Sequence, residues 1–557
     1  MSTTNSTNSR KITNKTPTIF RELLNPEGFA GIMSIDDGDL EVPKMLSRVF
    51  SMGIFGMEAF PVEVETDLSR GLPAFEIVGL PDAAVRESRD RVRAALKNCG
   101  FEFPVSRITV NLAPADQKKT GPIYDLPILL SLLCASAQIS VPQTELKESL
   151  FLGELSLSGK LRPMQGVLPM AIKAQKEGFR ALYVPAENAL EGAAVEGLSV
   201  YAVQSVPQLL AHFSGTQPIS PLAPALPPAS VHLQEPDFSD VRGLSDVKRA
   251  VEIAACGGHN LLMIGPPGSG KSMIAKRIPS ILPDMTKEEQ LETTMVHSIA
   301  GTIPSGHALL PARPFRAPHH TISPAGLSGG GTIPKPGELS LAHHGVLFLD
   351  ELPEFSRGTI ELLRQPIEDG AVAISRAAGR AVYPCSVMLV AAMNPCPCGF
   401  FGHPSKRCTC TPSAVFKYLS RISGPMLDRF DLHIEVPAVP FSAFDDTAPA
   451  ESSAEIRRRV DAARRIQSAR FAGTGITCNA RITPDRLREV CPMDAAARAV
   501  FQSAFENFGF SARTYDRVLK VARTIADMDG SAEIRAHHAA EAVQYRTLDR
   551  KYWARAR

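Results

Sequence analysis

The sequence predicts a multidomain α/β protein that ends in an all-helical region. Three observations carry that reading. Short continuous apolar runs, Leu261–Ile264, Val346–Leu349 and 387–391, suit strands buried on both faces of a parallel sheet. Segments with apolar residues at helical spacing lie between such runs, and beyond residue 453 only helical spacing remains. The 557 residues are 44% hydrophobic and 21% charged, a globular composition with room for roughly two to four domains.

Residues 1–44 open with a Ser/Thr/Asn-rich stretch and are expected to be a disordered extension, with Met45 a candidate start. The first residues have no apolar core like that of a signal peptide. No apolar run reaches the ~20 residues of a membrane span, so a cytoplasmic protein without membrane contact is expected. Residues 45–213 form a mixed α/β domain. Val62 to Glu65 and Arg107 to Leu112 alternate like strands, 83–96 has the spacing of an amphipathic helix, and 125–137 reads as a buried one. Residues 214–236 contain six prolines and form a semi-rigid linker. A second α/β unit spans 237–440, a second linker (FSAFDDTAPAESS) spans 441–453, and helices follow at 454–471, 494–508, Ala512–Met528 and 536–545.

Chemistry concentrates in the second unit. Gly265-Pro266-Pro267-Gly268-Ser269-Gly270-Lys271-Ser272 fits GxxxxGK[ST] in full, between a strand and the helix expected at 272–278. Its glycines let backbone N–H groups curl round a phosphate, and the helix N-terminus adds positive potential. Lys271 would reach the β- and γ-phosphates of ATP, and the Ser272 hydroxyl would ligate Mg²⁺. About 80 residues on, an apolar strand ends in Asp350-Glu351, the pattern for a carboxylate that holds Mg²⁺ and a base that polarises water. Asn394 closes the next apolar run and would orient that water, although a turn Asn before Pro395 reads the same way.

Cys396-Pro-Cys398 and Cys408-Thr-Cys410 form CxC–x9–CxC, four thiols suited to a tetrahedral Zn²⁺ site. The spacing is not the usual CxxC, His403 could replace one ligand, and a redox pair or plain loop cysteines would give the same letters. The other six cysteines are isolated and read as packing residues. A net charge of +2 excludes a polybasic chain, so any nucleic-acid surface must be a local patch.

Taken in order, the phosphate loop, the Asp-Glu strand and the Asn-ended strand resemble the AAA+ ATPases. Residues 314–345 (PFRAPHHTISPAGLSGGGTIPKPGELSLAHHG) and 367–380 (IEDGAVAISRAAGR) resemble the helix-2 insert and the following hairpin of the magnesium-chelatase and minichromosome-maintenance branch. With SARTYDRVLKVARTIAD at 511–527, the chain from about Met45 to its end resembles the ComM/YifB family of magnesium-chelatase-like proteins. That resemblance implies a Lon-protease-like N-terminal domain, an AAA+ parallel-sheet core and a helical lid at 454–557. Residues 118–125 and 153–168 resemble the Lon protease domain, but its Ser position falls on Ile123 and its Lys position on Leu168, so proteolysis is not expected. The resemblance further implies a homo-oligomeric ring, a hexamer, in which Arg429 (Arg421 the runner-up) completes a neighbour's site and Arg513 holds the sensor 2 position.

It also places Arg376 and Arg380 on a hairpin that contacts DNA in related ring helicases, branched or single-stranded DNA being the partner. Arg313, Arg316, His319, His320 and Lys335 are second-rank pore candidates, and Lys118, Lys119 and Lys160 are either a polyanion contact or a solvated face. His343 and His344 read as structural. The C-terminal YRTLDRKYWARAR reads as a frayed basic tail, its alternative being that Tyr552 and Trp553 stack on bases. The implied activity is an ATP-driven branch-migration helicase in recombination and uptake of transforming DNA. The alternatives are a metal-chelatase motor with larger partner subunits, or a protein-remodelling ring.

Overall fold

The computed structural model describes residues 46–223, 236–376, 379–403, 405–438, 450–508 and 510–553. The expectation for 1–44, most of the proline-rich linker and 439–449 lie outside the described residues. No helix among the described residues is long and apolar enough to cross a membrane.

The N-terminal domain is a seven-stranded mixed sheet, ordered Ala74–Val78, Arg107–Ala113, Glu58–Ser69, Leu46–Phe55, Ser149–Phe151, Ala181–Pro185, Ser199–Val203. Leu46–Phe55 runs antiparallel to Glu58–Ser69, with Val49 opposite Val64 and Met52 opposite Pro61. The first strand escapes a period-two reading because Ser51, Met52 and Gly53 are all buried, so alternation fades in its second half. Helix Asp125–Ala135 is enclosed along nearly its whole length, and the chain turns out of it at Ala137, whose φ of 55° ends the helix two residues before the expected boundary. The first part of the expected linker is not free: Ile219 and Leu222 pack on this domain, and Leu222 N–H donates to Val200 O at 2.8 Å.

The second unit is an all-parallel five-stranded sheet, ordered Phe315–Arg316, Val346–Leu349, Met388–Met393, Leu261–Ile264, Leu432–Glu435. Every residue of the three runs at 261–264, 346–349 and 388–393 is buried, which is why each reads as continuously apolar. The third strand begins at Met388, one residue after the expected Val387, and runs to Met393, so Asn394 is the first residue beyond it. Leu261–Ile264 has Met388–Met393 on one side and Leu432–Glu435 on the other. The chain therefore leaves it in one direction and returns from the other, and such a reversal opens a crevice at the carboxyl ends of the strands.

The helical region follows the sequence pattern within a residue or two: Ser453–Arg470, Ala495–Phe508, Ala512–Met528 and Ala536–Gln544. The first starts on a capping box in which Ser452 and Glu455 satisfy each other's backbone N–H groups. These helices share one apolar core with the parallel sheet. Polar ties fix the join: Arg517 donates to the buried Asp431 carboxylate at 3.0 Å, and Thr524 Oγ1 lies 2.8 Å from His259 Nε2.

Residues 545–553 differ both from the frayed tail of the sequence reading and from its base-stacking alternative, and residues 554–557 lie outside the described residues. Leu548–Trp553 is a helix whose Tyr552 and Trp553 are 6% and 5% exposed. Tyr552 Oη donates to Glu435 at 3.0 Å and the Trp553 indole N–H to Leu419 O at 3.4 Å. Burying two aromatic rings with both polar tips satisfied outweighs the basic character of the segment.

The N-terminal domain is braced on the core by helix Lys287–Ala300. Gly166 N–H donates to Ser298 O at 3.0 Å, and the Ser298 hydroxyl donates to the buried Glu191 carboxylate. Burial raises the Glu191 pKa above the ordinary carboxylate range, against the hydrogen bonds that favour its ionised form.

Candidate functional site

Loop 265–270 leaves strand Leu261–Ile264 at its carboxyl end and leads into helix Lys271–Ala275. A second helical turn follows at Ile278–Ile281, so the single helix expected at 272–278 is broken near Lys276 and Arg277. Gly265 is required by close approach, since a Cβ there would strike the Val436 carbonyl. Lys271 is only 8% exposed and its ammonium donates to Gly265 O and Pro266 O, both at 2.8 Å, and to Asn394 Oδ1 at 3.3 Å. Burial lowers its pKa to about 8, against the pull of Asp350 and Glu351.

Ser272 Oγ donates to Asp350 Oδ2 at 2.5 Å. A hydroxyl beside a carboxylate at a loop of backbone N–H groups is a hard oxygen donor set that fits Mg²⁺ beside a triphosphate. Glu351 has φ 51°, a left-handed conformation rare for a residue with a Cβ, and such strain is concentrated at functional sites. Its carboxylate is 56% exposed and lies 3.5 Å from His320 Nδ1. Pro267 to Met273, Asp350, Glu351, Met393 and Asn394 line a cleft of about 390 Å³. Three strands distant in sequence thus bring the phosphate loop, the Ser272–Asp350 pair, Glu351 and the Asn394 amide to one end of the sheet.

His320 sits beside this cleft through its approach to Glu351. The short strand Phe315–Arg316 sits beside Val346–Leu349, so the residues after each emerge side by side. Arg313 and Arg316 are both tied down within the chain. Arg313 donates to Pro283 O, His344 O, Asp284 O and Glu289, and Arg316 pairs with Glu338 through two bonds of 2.6 and 2.7 Å. His319 and Lys335 are exposed. Lys119 is fully buried with its ammonium on Pro114 O, which removes it from the polyanion candidates, whereas Lys118 and Lys160 are exposed. His343 Nδ1 accepts from Ser386 N–H at 3.0 Å, which leaves the proton on Nε2, 3.2 Å from Glu292. Glu292, His343 and His344 bring their ligand atoms together here.

Arg429 is 5% exposed, pairs with Glu368 and donates to Arg364 O at 3.3 Å. Burial lowers its pKa, and the charges of Arg517, Arg513 and Arg364 add to that. Arg513 is exposed on the second residue of helix Ala512–Met528. Neither arginine lines its own chain's phosphate cleft. Arg421 is bound to Glu354 at 2.8 Å and Pro353 O at 3.1 Å.

The four thiols of the CxC pairs come together directly after Asn394. Cys396 Sγ lies 3.4 Å from Cys398 and 3.7 Å from Cys408, and Cys398 lies 3.6 Å from Cys408, with Cys410 in the same group. Zn–S bonds of about 2.3 Å in a tetrahedron require sulfur–sulfur edges of about 3.8 Å, so the arrangement fits Zn²⁺. His403 is outside the group, its Nδ1 accepting from Ser405 N–H and Lys406 N–H. The knuckle touches the phosphate loop, because Gly399 packs so closely on Pro267 that a Cβ would not fit. It also meets the C-terminal helix, where the Phe401 and Tyr552 rings are 6.4 Å apart.

The hairpin pairs Ala371–Arg376 with Gly379–Pro384, Arg376 opposite Gly379, and exposes both Arg376 and Arg380. Arg376 donates to Gly331 O at 3.2 Å, and Gly379 lies against Phe55 at the end of the first strand of the N-terminal domain. Residues 377 and 378 lie outside the described residues. In the N-terminal domain, Ile123 and Leu168 are 7% and 0% exposed core residues, and the Leu168 N–H donates to Glu191 at 2.8 Å.

Comparison with known proteins agrees with this layout. Residues 237–444 match the family described as magnesium chelatase, subunit ChlI, residues 64–188 that of subunit ChlI of Mg-chelatase, and residues 450–546 the ChlI C-terminal family. The chain is 43% identical over 506 residues to the uncharacterized protein YifB of Escherichia coli K12, covering 91% of this chain and 98% of that one. It is 43% identical over 509 residues to competence protein ComM of Haemophilus influenzae, with the same coverage. A Lon protease of Metamycoplasma arthritidis is 24% identical over 178 residues, 30% of this chain and 20% of that one. The parallel-sheet core, its phosphate loop and the relatives matched from end to end agree, and this chain belongs to the ComM/YifB family of magnesium-chelatase-like AAA+ proteins.

Proposed function

We propose that the protein is an ATPase that works as a ring, a hexamer, and moves along DNA. The convergence of Lys271, Ser272, Asp350 and Asn394 at one end of the parallel sheet carries the ATPase part of this reading. Lys271 and the loop amides hold the β- and γ-phosphates, drawing the ammonium off the carbonyls of Gly265 and Pro266. Ser272 and Asp350 would hold Mg²⁺, which when bound neutralises charge on the phosphate oxygens. Glu351 polarises the attacking water and the Asn394 amide fixes its direction. The arginine that stabilises the transition state comes from a neighbour: Arg429 exchanges Glu368 for a phosphate of the adjacent subunit, with Arg513 beside it. Their absence from their own cleft supports this assignment. Cys396, Cys398, Cys408 and Cys410 would hold Zn²⁺, which when bound would fix the knuckle that backs the phosphate loop.

The DNA part rests on the exposed arginines of the hairpin and on a relative named as a competence protein. Branch migration in recombination and transformation is the specific form proposed. ATPase rate measured against a panel of single-stranded, duplex and four-way-junction DNA tests it, and stimulation by branched DNA is expected. Replacing both Arg376 and Arg380 with Ala should weaken DNA binding and reduce the steepness of its salt dependence by about two phosphate contacts. An unchanged slope removes the hairpin as the contact. A metal-chelatase motor is the second reading, favoured by the family descriptions. Turnover that responds to a porphyrin-binding partner and not to DNA would select it.

A further inference from the structure

A cavity of about 520 Å³ lies at the opposite end of the parallel sheet from the phosphate loop. Gly258, Gly345 and Met388, at the amino ends of three strands, form its floor, and the first lid helix and the turn after it form its wall. Four guanidinium groups line it, those of Arg313, Arg464, Arg465 and Arg481, together with three acids, Asp284, Glu289 and Asp461. The acids are already committed. Glu289 pairs with Arg313 at 2.7 Å, and Asp284 and Asp461 face Arg457 at 2.5 and 4.0 Å. Among the described residues, Arg464, Arg465 and Arg481 have no carboxylate partner.

Two of these three are held rigidly by neutral groups. Arg464 donates to Ala255 O at 3.0 Å and Thr477 O at 3.4 Å. Arg481 donates to Ser386 Oγ at 3.1 Å and Ile367 O at 3.4 Å. Arg465 is exposed at the rim, and no hydrogen bond or ion pair ties it among the described residues. Arg457 serves two of the acids, so the arginines exceed the acids by two charges around one concave space. Burial already lowers the pKa of Arg313, and the charge of Arg464 adds to that. A single carboxylate would leave part of that excess uncompensated, whereas the planar forks of guanidinium groups match the oxygens of linked phosphates. The volume is that of a small-ligand site.

We propose that this cavity binds a phosphate-rich anion of about mononucleotide size, separately from the phosphate loop, and so clamps the helical region onto the core. The phosphates come from a free polyphosphate or nucleotide, or from a nucleic-acid backbone. The site does not depend on the ATPase reading.

The test uses the full chain with Lys271→Ala, so that the phosphate loop contributes little, and titrates inorganic tripolyphosphate by calorimetry. About one equivalent is expected to bind, and Arg465→Glu is expected to weaken binding by roughly tenfold or more, the size of one or two lost charge-assisted hydrogen bonds. Because Arg465 supports no backbone carbonyl, that variant should keep its melting temperature. Arg464→Gln serves as a second variant. Displacement of tripolyphosphate by a short oligonucleotide would make nucleic acid the source, and failure to displace would make it the free anion; both outcomes keep the site. Absence of binding, or binding that neither variant weakens, overturns it, and either result leaves hydrolysis at the phosphate loop untouched.

Discussion

Lys271 is held between burial, which favours its neutral form, and the acids Asp350 and Glu351, which favour its charged form. Its pKa of about 8 lies below the ordinary lysine value, and phosphate binds the ammonium. Below pH 8 the ammonium is already present. Above it, nucleotide binding must take up a proton, so affinity should fall by up to about tenfold per pH unit. Calorimetry of ATP binding at pH 7 and pH 9 in buffers of different ionisation enthalpy checks this, with proton uptake expected only at the higher pH. The residues of the cleft were legible in the sequence because loop geometry dictates their types. Their partners were not. His320 at Glu351 and Glu368 at Arg429 join residues distant along the chain, and no periodicity or spacing announces such pairs.

Among the elements, the three fully buried strands of the parallel sheet and four helices of the C-terminal region were readable to within a residue or two, because each has one regular pattern of burial, whereas Phe315–Arg316 and Leu432–Glu435, only partly buried, were not. The first strand of the N-terminal domain was hidden by burial on both faces, and the helix 548–553 by its surface-like charges. The cysteine knuckle is an element packed against the site. It follows Asn394 directly and packs on Pro267 through Gly399. About one zinc per chain is expected by metal analysis. Chelation, or Cys398→Ser, should lower the melting temperature and raise the KM for ATP more than it lowers kcat. A protein free of zinc that keeps both values would remove the metal from this account.

At the scale of the whole molecule, no arginine among the described residues lines the cleft. Arg429 and Arg513 lie near each other but line no part of that cleft. Lys271→Ala and Arg429→Ala proteins should each be inactive alone. Mixed, they should regain part of the activity, since an intact cleft then sits beside an intact arginine; mixtures as inactive as the parents would place the arginine elsewhere. The sequence could point to this assembly only through resemblance, because an interface is a property of two surfaces and leaves no period in one chain. The most direct test of the central claim is steady-state ATP hydrolysis by the purified chain beside its Lys271→Ala variant. Hydrolysis by the wild type that falls at least ~100-fold in the variant, about 2.7 kcal/mol of transition-state stabilisation, is the predicted result. A wild-type chain that hydrolyses no ATP at any protein concentration, or a variant that matches it, would contradict the account.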